Sequence, residues 1–192
     1  MITLIIVDCQ NDFITGTMSV KGAKKALENI KTFIKNKRED IERIIFTADW
    51  HPYNHCSFKR VGGLWPHHCV QFTPGACIEP KLLKYVQSKN IPYKVCLKGV
   101  YEEKEEYGAF SEIVYINDVL GERYYLDDTL PGIDINTEFI VCGIAGDYCV
   151  KETISNLLKG DIIPKVLISG IASIDGGKTI NEFIKENHLE KV

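Results

Sequence analysis

The six residues Ile2–Val7 (Ile-Thr-Leu-Ile-Ile-Val) are apolar almost throughout, rich in β-branched side chains, and stop at a charge, Asp8. A strand with one wet face alternates apolar and polar residues. A short run without that alternation suits a strand covered on both faces, as in a parallel sheet. Further strands are expected at 41–48, ending in Asp49; at 93–97, opened by Pro92 and ending in Lys98-Gly99; at 139–142, a short apolar run broken by Gly143 and Gly146; and at 164–168. Helical spacing fills the intervals. Ala23, Ala26, Leu27, Ile30, Phe33 and Ile34 share one face over 22–37, and Pro80 suits the first turn of a helix over 80–89. Val150, Ile154, Leu157 and Leu158 line one face over 148–159, and Ile180, Phe183 and Ile184 do so over 178–187. Strands alternating with helices predict an α/β fold, a three-layer α/β/α sandwich around a central, mostly parallel sheet.

A chain of 192 residues with no repeat, low-complexity segment or linker reads as a single domain over 1–192, large enough to bury a full core. The net charge is −3 without a basic stripe, so nucleic acid and anionic membranes are poor partners. No apolar run approaches the ~20 residues of a membrane helix. The N-terminus enters its first strand without a basic leader, so no signal peptide is expected. Seven cysteines, an odd count, then point to reduced thiols in a cytoplasmic protein. The oligomeric state stays open, a homo-oligomer included.

In open α/β sheets, ligands bind beyond the carboxyl ends of the strands. Asp8, Asp49, Lys98 and Cys149 each follow such an end, so four reactive groups from distant segments converge on one rim. Cys149 sits where a strand passes into a helix. Backbone N–H groups there lack partners and the helix dipole is positive, so a thiol is expected to ionise more readily. Taken singly, each residue has a plainer reading: a buried cysteine, a turn aspartate, a solvated lysine. Asp8 with Lys98 alone is an ordinary salt bridge. Together they give a nucleophile its partners: a carboxylate to take the thiol proton, an ammonium to favour the thiolate, and N–H groups around Ala145 and Cys149 to receive an oxyanion.

The long irregular stretch 50–79 holds four of the five histidines and both tryptophans. Loops of this length in compact domains are usually functional. Asp49 and His51 are two residues apart and can converge with His68 on a divalent metal. Nitrogen and oxygen ligands suit zinc, with iron and manganese as alternatives. Against this stands a loop held by its own hydrogen bonds, because Asp-x-His pairs are common. His67 and His188 carry no expected role. The charged run 102–106 reads as a solvated face, and Leu130-Pro131-Gly132 as a turn.

The motifs Asp8-x-Gln10-Asn11-Asp12-Phe13, Asp49-Trp50-His51-Pro52 through His55-x-Ser57-Phe58, Leu64-Trp65-Pro66-x-His68-Cys69, Lys98-Gly99, Tyr107-x-x-Phe110 and Gly143-Ile144-Ala145-x-Asp147-Tyr148-Cys149-Val150 resemble the nicotinamidase/pyrazinamidase branch of the isochorismatase-like cysteine hydrolases. The resemblance covers most of the chain, in order, and implies the Rossmann-like isochorismatase fold. It implies Cys149 as nucleophile, Asp8 as the group that takes its proton and later passes it to ammonia, and Lys98 as the cation that holds both. It implies a cis Ile144–Ala145 peptide, with the N–H groups of Ala145 and Cys149 as the oxyanion hole. Asp49, His51 and His68 are then ligands of one divalent metal ion, zinc first and iron or manganese otherwise. His55 lies where some members supply a fourth ligand and others use water. The substrate is nicotinamide, its pyridine nitrogen on the metal and its ring among Phe13, Trp65 and Tyr107, with pyrazinamide as a second substrate and NAD salvage as the setting.

Departures from the family pattern are Gly146 where Thr or Ser is common, Phe72 in place of a glycine, Gly108 where Ser is frequent, and a poor match over 111–134. Three other readings compete: a related cysteine amidase acting on another small amide or ureido compound, a non-enzymatic flavodoxin-like binding protein with a structural metal, and a metal-water hydrolase in which Cys149 is only core.

Overall fold

The chain runs β1 (Ile2–Val7), α1 (Asn11–Ile14), α2 (Ala23–Asn36), β2 (Ile41–Asp49), α3 (Pro80–Ser88), β3 (Tyr93–Lys98), β4 (Ile113–Ile116), β5 (Val119–Glu122), β6 (Ile133–Asp134), β7 (Glu138–Ile144), α4 (Lys151–Lys159), β8 (Lys165–Ala172) and α5 (Lys178–Glu186). This computed structural model describes residues 1–111 and 137–192 throughout, and between them the backbone of the three short strands β4, β5 and β6. Those three form a small antiparallel sheet. The expected turn Leu130-Pro131-Gly132 lies outside the described residues. The other five strands pair in the order β3-β2-β1-β7-β8, every pair parallel, which is the central sheet that strands alternating with helices predict.

Period-two alternation along β1 sends its side chains to two separate cores. Leu4 and Ile6 pack with Ala26, Leu27, Ile30 and Ile34 of α2 and Leu82 and Val86 of α3. Ile5 and Val7 pack on the opposite face with Ile154 and Leu157 of α4 and Ile180 and Ile184 of α5. Each of these buried Leu or Ile side chains contributes about 1.5–3 kcal/mol by leaving water. Helices on both faces of one parallel sheet make the three-layer α/β/α sandwich. Among the described residues, no helix is long and apolar enough to cross a membrane.

The connections fix where the site falls. From β1 the chain steps outward through β2 to β3, then returns to place β7 on the other side of β1. The strand order therefore reverses between β1 and β7, and the crevice beyond their carboxyl ends is the ligand position of such sheets. Asp8 ends β1 there, and the segment carrying Cys149 leaves β7 there.

Four elements differ from the sequence expectations. Gly143 does not break its strand: β7 continues to Ile144, with Gly143 paired to Val7 at φ +125°. A Cβ at Gly143 would lie 2.1 Å from the Val7 carbonyl oxygen, so the glycine serves close approach of two strands. β8 runs on through Ser169 and Gly170 to Ala172, a stretch whose small and polar residues hide its strand character. Between β7 and α4 the chain makes a π-helical turn, Gly146–Val150, rather than entering an α-helix directly. The loop after Asp8 also contains the single helical turn α1.

Candidate active site and metal centre

Asp8 is fully buried and holds φ +47°, a left-handed conformation that Asp tolerates better than most residues. Two partners pin it. Its Oδ1 accepts from Thr47 Oγ1 at 2.6 Å, and its Oδ2 lies 2.8 Å from Lys98 Nζ. Lys98, 2% exposed at the end of β3, also pairs with Asp49 Oδ1 and reaches Cys149 Sγ at 3.7 Å. The side-chain ligating atoms of Asp8, Asp49 and Cys149 all lie within 4.8 Å of one another.

Electrostatics set the resting proton positions. Burial pushes Asp8 above the usual carboxylate range, against the pull of Lys98. Burial also drives the Cys149 thiol well above its ordinary value; Lys98 pulls it down while Asp8 and Asp49 push it up. The expectation of a readily ionised thiol at this strand–helix junction is thus corrected, because loss of water outweighs the cation beside it. Burial would discharge Lys98, but Asp49 and Asp8 hold it charged well above the usual lysine value.

Asp49 joins this group to the histidines, which the sequence alone left as a separate cluster. While Oδ1 faces Lys98, Oδ2 lies 3.4 Å from His51 Nε2 and 3.8 Å from His68 Nε2. All three residues are buried. Ligands of one tetrahedral zinc-sized ion, bound at about 2.0–2.2 Å, sit about 3.3–3.6 Å apart. The three side chains therefore fit a divalent metal with little movement. Their other ring nitrogens are already committed: His51 Nδ1 to the Gly99 carbonyl at 3.0 Å and His68 Nδ1 to the Pro66 carbonyl at 2.8 Å. That arrangement turns both Nε2 atoms toward the shared site. Gly99 is needed for it. At φ +61°, a Cβ there would lie 2.4 Å from the His51 ring. Burial works to raise Asp49, yet Lys98, His51 and His68 hold it well below the carboxylate range. Burial holds His68 down at about 4, whereas for His51 the Asp49 charge overrides burial and raises it. His55 stacks on His51 with ring centroids 4.0 Å apart. Its Nδ1 engages Ser57 Oγ at 2.8 Å and its Nε2 the Lys104 carbonyl at 3.0 Å, so both of its ring nitrogens have partners outside the three-residue site.

A cleft opens onto both groups. Phe13, Trp65 and Tyr107 line it together with Asp49, His51, His68, Ala145 and Cys149. Trp65 Nε1 donates to Tyr107 Oη at 3.0 Å, and the Trp65 ring meets the Tyr148 ring edge-on at 5.1 Å. The Ile144–Ala145 peptide is cis.

Several participants carried no role in the sequence reading. Gln10 grips Asp49 by its backbone, with Oε1 accepting from Asp49 N at 2.8 Å and Nε2 donating to Asp49 O at 2.7 Å. Asp12 Oδ2 accepts from Cys69 N at 2.8 Å and ties the first loop to the His68 segment. Glu106 corrects the solvated-face reading of 102–106: it is buried, and its Oε2 accepts from Gly99 N at 3.1 Å. Nothing in a run of four glutamates and a lysine marks which one turns inward. Met18, Val20 and Ile174 also line the cleft. Gly108 is explained by space, since a Cβ there would meet the Glu152 carbonyl carbon of α4 at 2.7 Å. Phe72 stands 88% exposed at φ +63°, its ring meeting that of Trp50 edge-on at 5.3 Å.

A model of the isochorismatase domain matches residues 3–178, and the chain belongs to that family. Within the family it is similar to nicotinamidases. It is 31% identical to the nicotinamidase of Saccharomyces cerevisiae over 184 residues, 80% of this chain and 79% of the relative. A pyrazinamidase of Pyrococcus horikoshii solved in complex with zinc superposes with a TM-score of 0.75 at 28% identity, covering 100% of this chain and 98% of its own. The yeast nicotinamidase bound to the inhibitor nicotinaldehyde gives 0.79 at 27% identity, covering 100% and 99%.

Proposed function

We propose that this protein is a nicotinamidase, hydrolysing nicotinamide to nicotinate and ammonia through a thioester on Cys149, with pyrazinamide as a second substrate. The observation that carries the reading is the placement of Cys149, Asp8 and Lys98 in one buried cluster at a cleft also lined by Asp49, His51 and His68. Asp8, its basicity raised by burial, takes the Cys149 proton as sulfur attacks the amide carbon. Lys98 holds the forming thiolate and the Asp8 carboxylate in register. The oxyanion is received by the N–H groups of Ala145 and Cys149. The tetrahedral adduct expels ammonia, which takes the proton from Asp8. A water molecule, deprotonated by the freed Asp8 carboxylate, then cleaves the thioester and releases nicotinate.

Asp49, His51 and His68 would hold a divalent metal, zinc by donor set and by the zinc-bound neighbour. When bound, it supplies a Lewis-acid contact for the pyridine nitrogen. Phe13, Trp65 and Tyr107 pack on the ring. His55 supports the His51 ring by stacking and is not a ligand. None of the seven cysteines is in a disulfide, which suits a reducing compartment. We place the protein in the cytoplasm, in nicotinamide salvage towards NAD.

The test is ammonia release from nicotinamide, pyrazinamide and a ureido compound, with and without added metal, for the wild type, Cys149→Ala and His51→Ala. No release from nicotinamide by the wild type rejects the reading. Full activity in Cys149→Ala rejects the thioester, and release from the ureido compound alone transfers the site to a different amidase.

A further inference from the structure

The turn that presents Cys149 is fastened to another part of the rim by a side chain outside the reaction. Asp147, buried in the Gly146–Val150 turn, accepts from the backbone N–H of Ile174 with Oδ1 and from that of Asp175 with Oδ2, each at 3.0 Å. Those residues belong to the loop between β8 and α5, and Ile174 lines the cleft beside Ala145, Tyr148 and Cys149. Its side chain is 51% exposed, so it stands at the mouth rather than in the core. The same loop packs against the turn a second time: a Cβ at Gly146 would lie 2.2 Å from Ser173 Oγ. The glycine that departs from the family pattern is therefore the space that lets the β8 end close up. Asp175 finishes the loop by capping α5, its carboxylate accepting from Gly177 N at 2.8 Å and Thr179 N at 2.7 Å.

We propose that Ile174 is a specificity-determining wall of the substrate cleft, and that Asp147 is the positioning residue that fixes this wall to the turn bearing the nucleophile. The proposal rests on the nicotinamidase reading and extends it to which ring substituents the cleft admits. A wall held by two hydrogen bonds to a buried carboxylate keeps its distance from Cys149, so a ring in contact with Ile174 is held at one depth relative to the sulfur. One methyl group more or less in an apolar contact changes kcat/KM by about 10- to 200-fold. Removing the wall therefore re-ranks substituted rings.

The experiment measures kcat and KM of the metal-loaded wild type, Ile174→Ala and Asp147→Asn on nicotinamide and on its 2-, 4-, 5- and 6-methyl derivatives. The readout is kcat/KM of each methyl derivative divided by that of nicotinamide in the same sample, a ratio that partial unfolding does not alter. Ile174→Ala is expected to raise at least one ratio about 10-fold; all ratios within threefold of the wild type overturn the wall. Asp147→Asn, which keeps one acceptor and turns an NH₂ toward a backbone donor, is expected to raise the same ratio and the nicotinamide KM while kcat stays within threefold. A fall in kcat with KM and ratios unmoved overturns the positioning role. Should Asp147→Asn fail to fold, Asp147→Ser, which retains one acceptor, is read the same way. A wild type that releases no ammonia from any of the five amides rejects the nicotinamidase reading and this proposal with it. A wild type that turns over while both variants keep its ratios rejects only the proposal.

Discussion

The reacting flank of the cleft and the metal-fitting flank are held by different means. Asp8, Lys98 and Cys149 stand at or just beyond the ends of three strands of one sheet, and their spacing is set by strand pairing and side-chain ion pairs. His51 and His68 sit on the excursion between β2 and α3, where backbone carbonyls of Gly99 and Pro66 orient the rings. Asp49 alone belongs to both, through its two oxygens. Damage on the first flank should therefore remove chemistry while leaving metal affinity, and damage on the second should do the reverse.

The largest effect tests that separation directly. Cys149→Ala is expected to lower kcat by about 10⁴-fold or more, with metal affinity by competitive chelator titration unchanged. A parallel loss of metal would break the division. Asp8→Asn is expected to cost about 10³-fold in kcat, in the range of a lost general base, again with metal affinity unchanged. A parallel loss of metal in this variant would break the division as well.

On the other flank, His51→Ala is expected to weaken metal binding about 100-fold and to act mainly through KM. Gly99→Ala, which drives a methyl group into the His51 ring, should weaken it about 10-fold, in the range of supporting contacts around metal ligands. The smallest effect is a slope. His68 is neutral above about 4, whereas His51 is raised by Asp49. Acidification from the His51 pKa towards pH 4 therefore places one proton, not two, in competition with the metal. The logarithm of metal Kd should change by one unit per pH unit in that window. A slope of two would mean that both histidines titrate together.

Strand and helix existence was legible because β1 is apolar but for Thr3, β2 carries the apolar core Ile44–Phe46, and α2 has clean helical spacing. The candidate residues were legible because they follow strand ends, where polar residues interrupt such runs. What escaped were relations between segments. Gln10 and Asp12 brace their targets across 39 and 57 residues, and no local pattern encodes such a pairing. Glu106 and Asp147 resemble surface acids until the fold shows which backbone N–H groups they meet. The thiol of Cys149 was misjudged for a related reason: the junction's dipole is local and visible in sequence, while burial is a property of the whole fold.

The pairing of Val7 with Gly143 has a kinetic corollary. These residues lie in the central strand and the strand beside it, directly before Asp8 and shortly before Cys149, and adjacent strands are spaced about 4.8 Å apart. Local opening events rarely reach such a place; they begin in segments with few buried apolar contacts. In native-state hydrogen exchange, the amides of Ile5, Ile6 and Val141 should exchange only through global unfolding, while those of the 50–79 excursion exchange through smaller openings. On slow heating, the ability to hold metal should fade before the alignment of base and nucleophile, which should persist until the whole sheet melts.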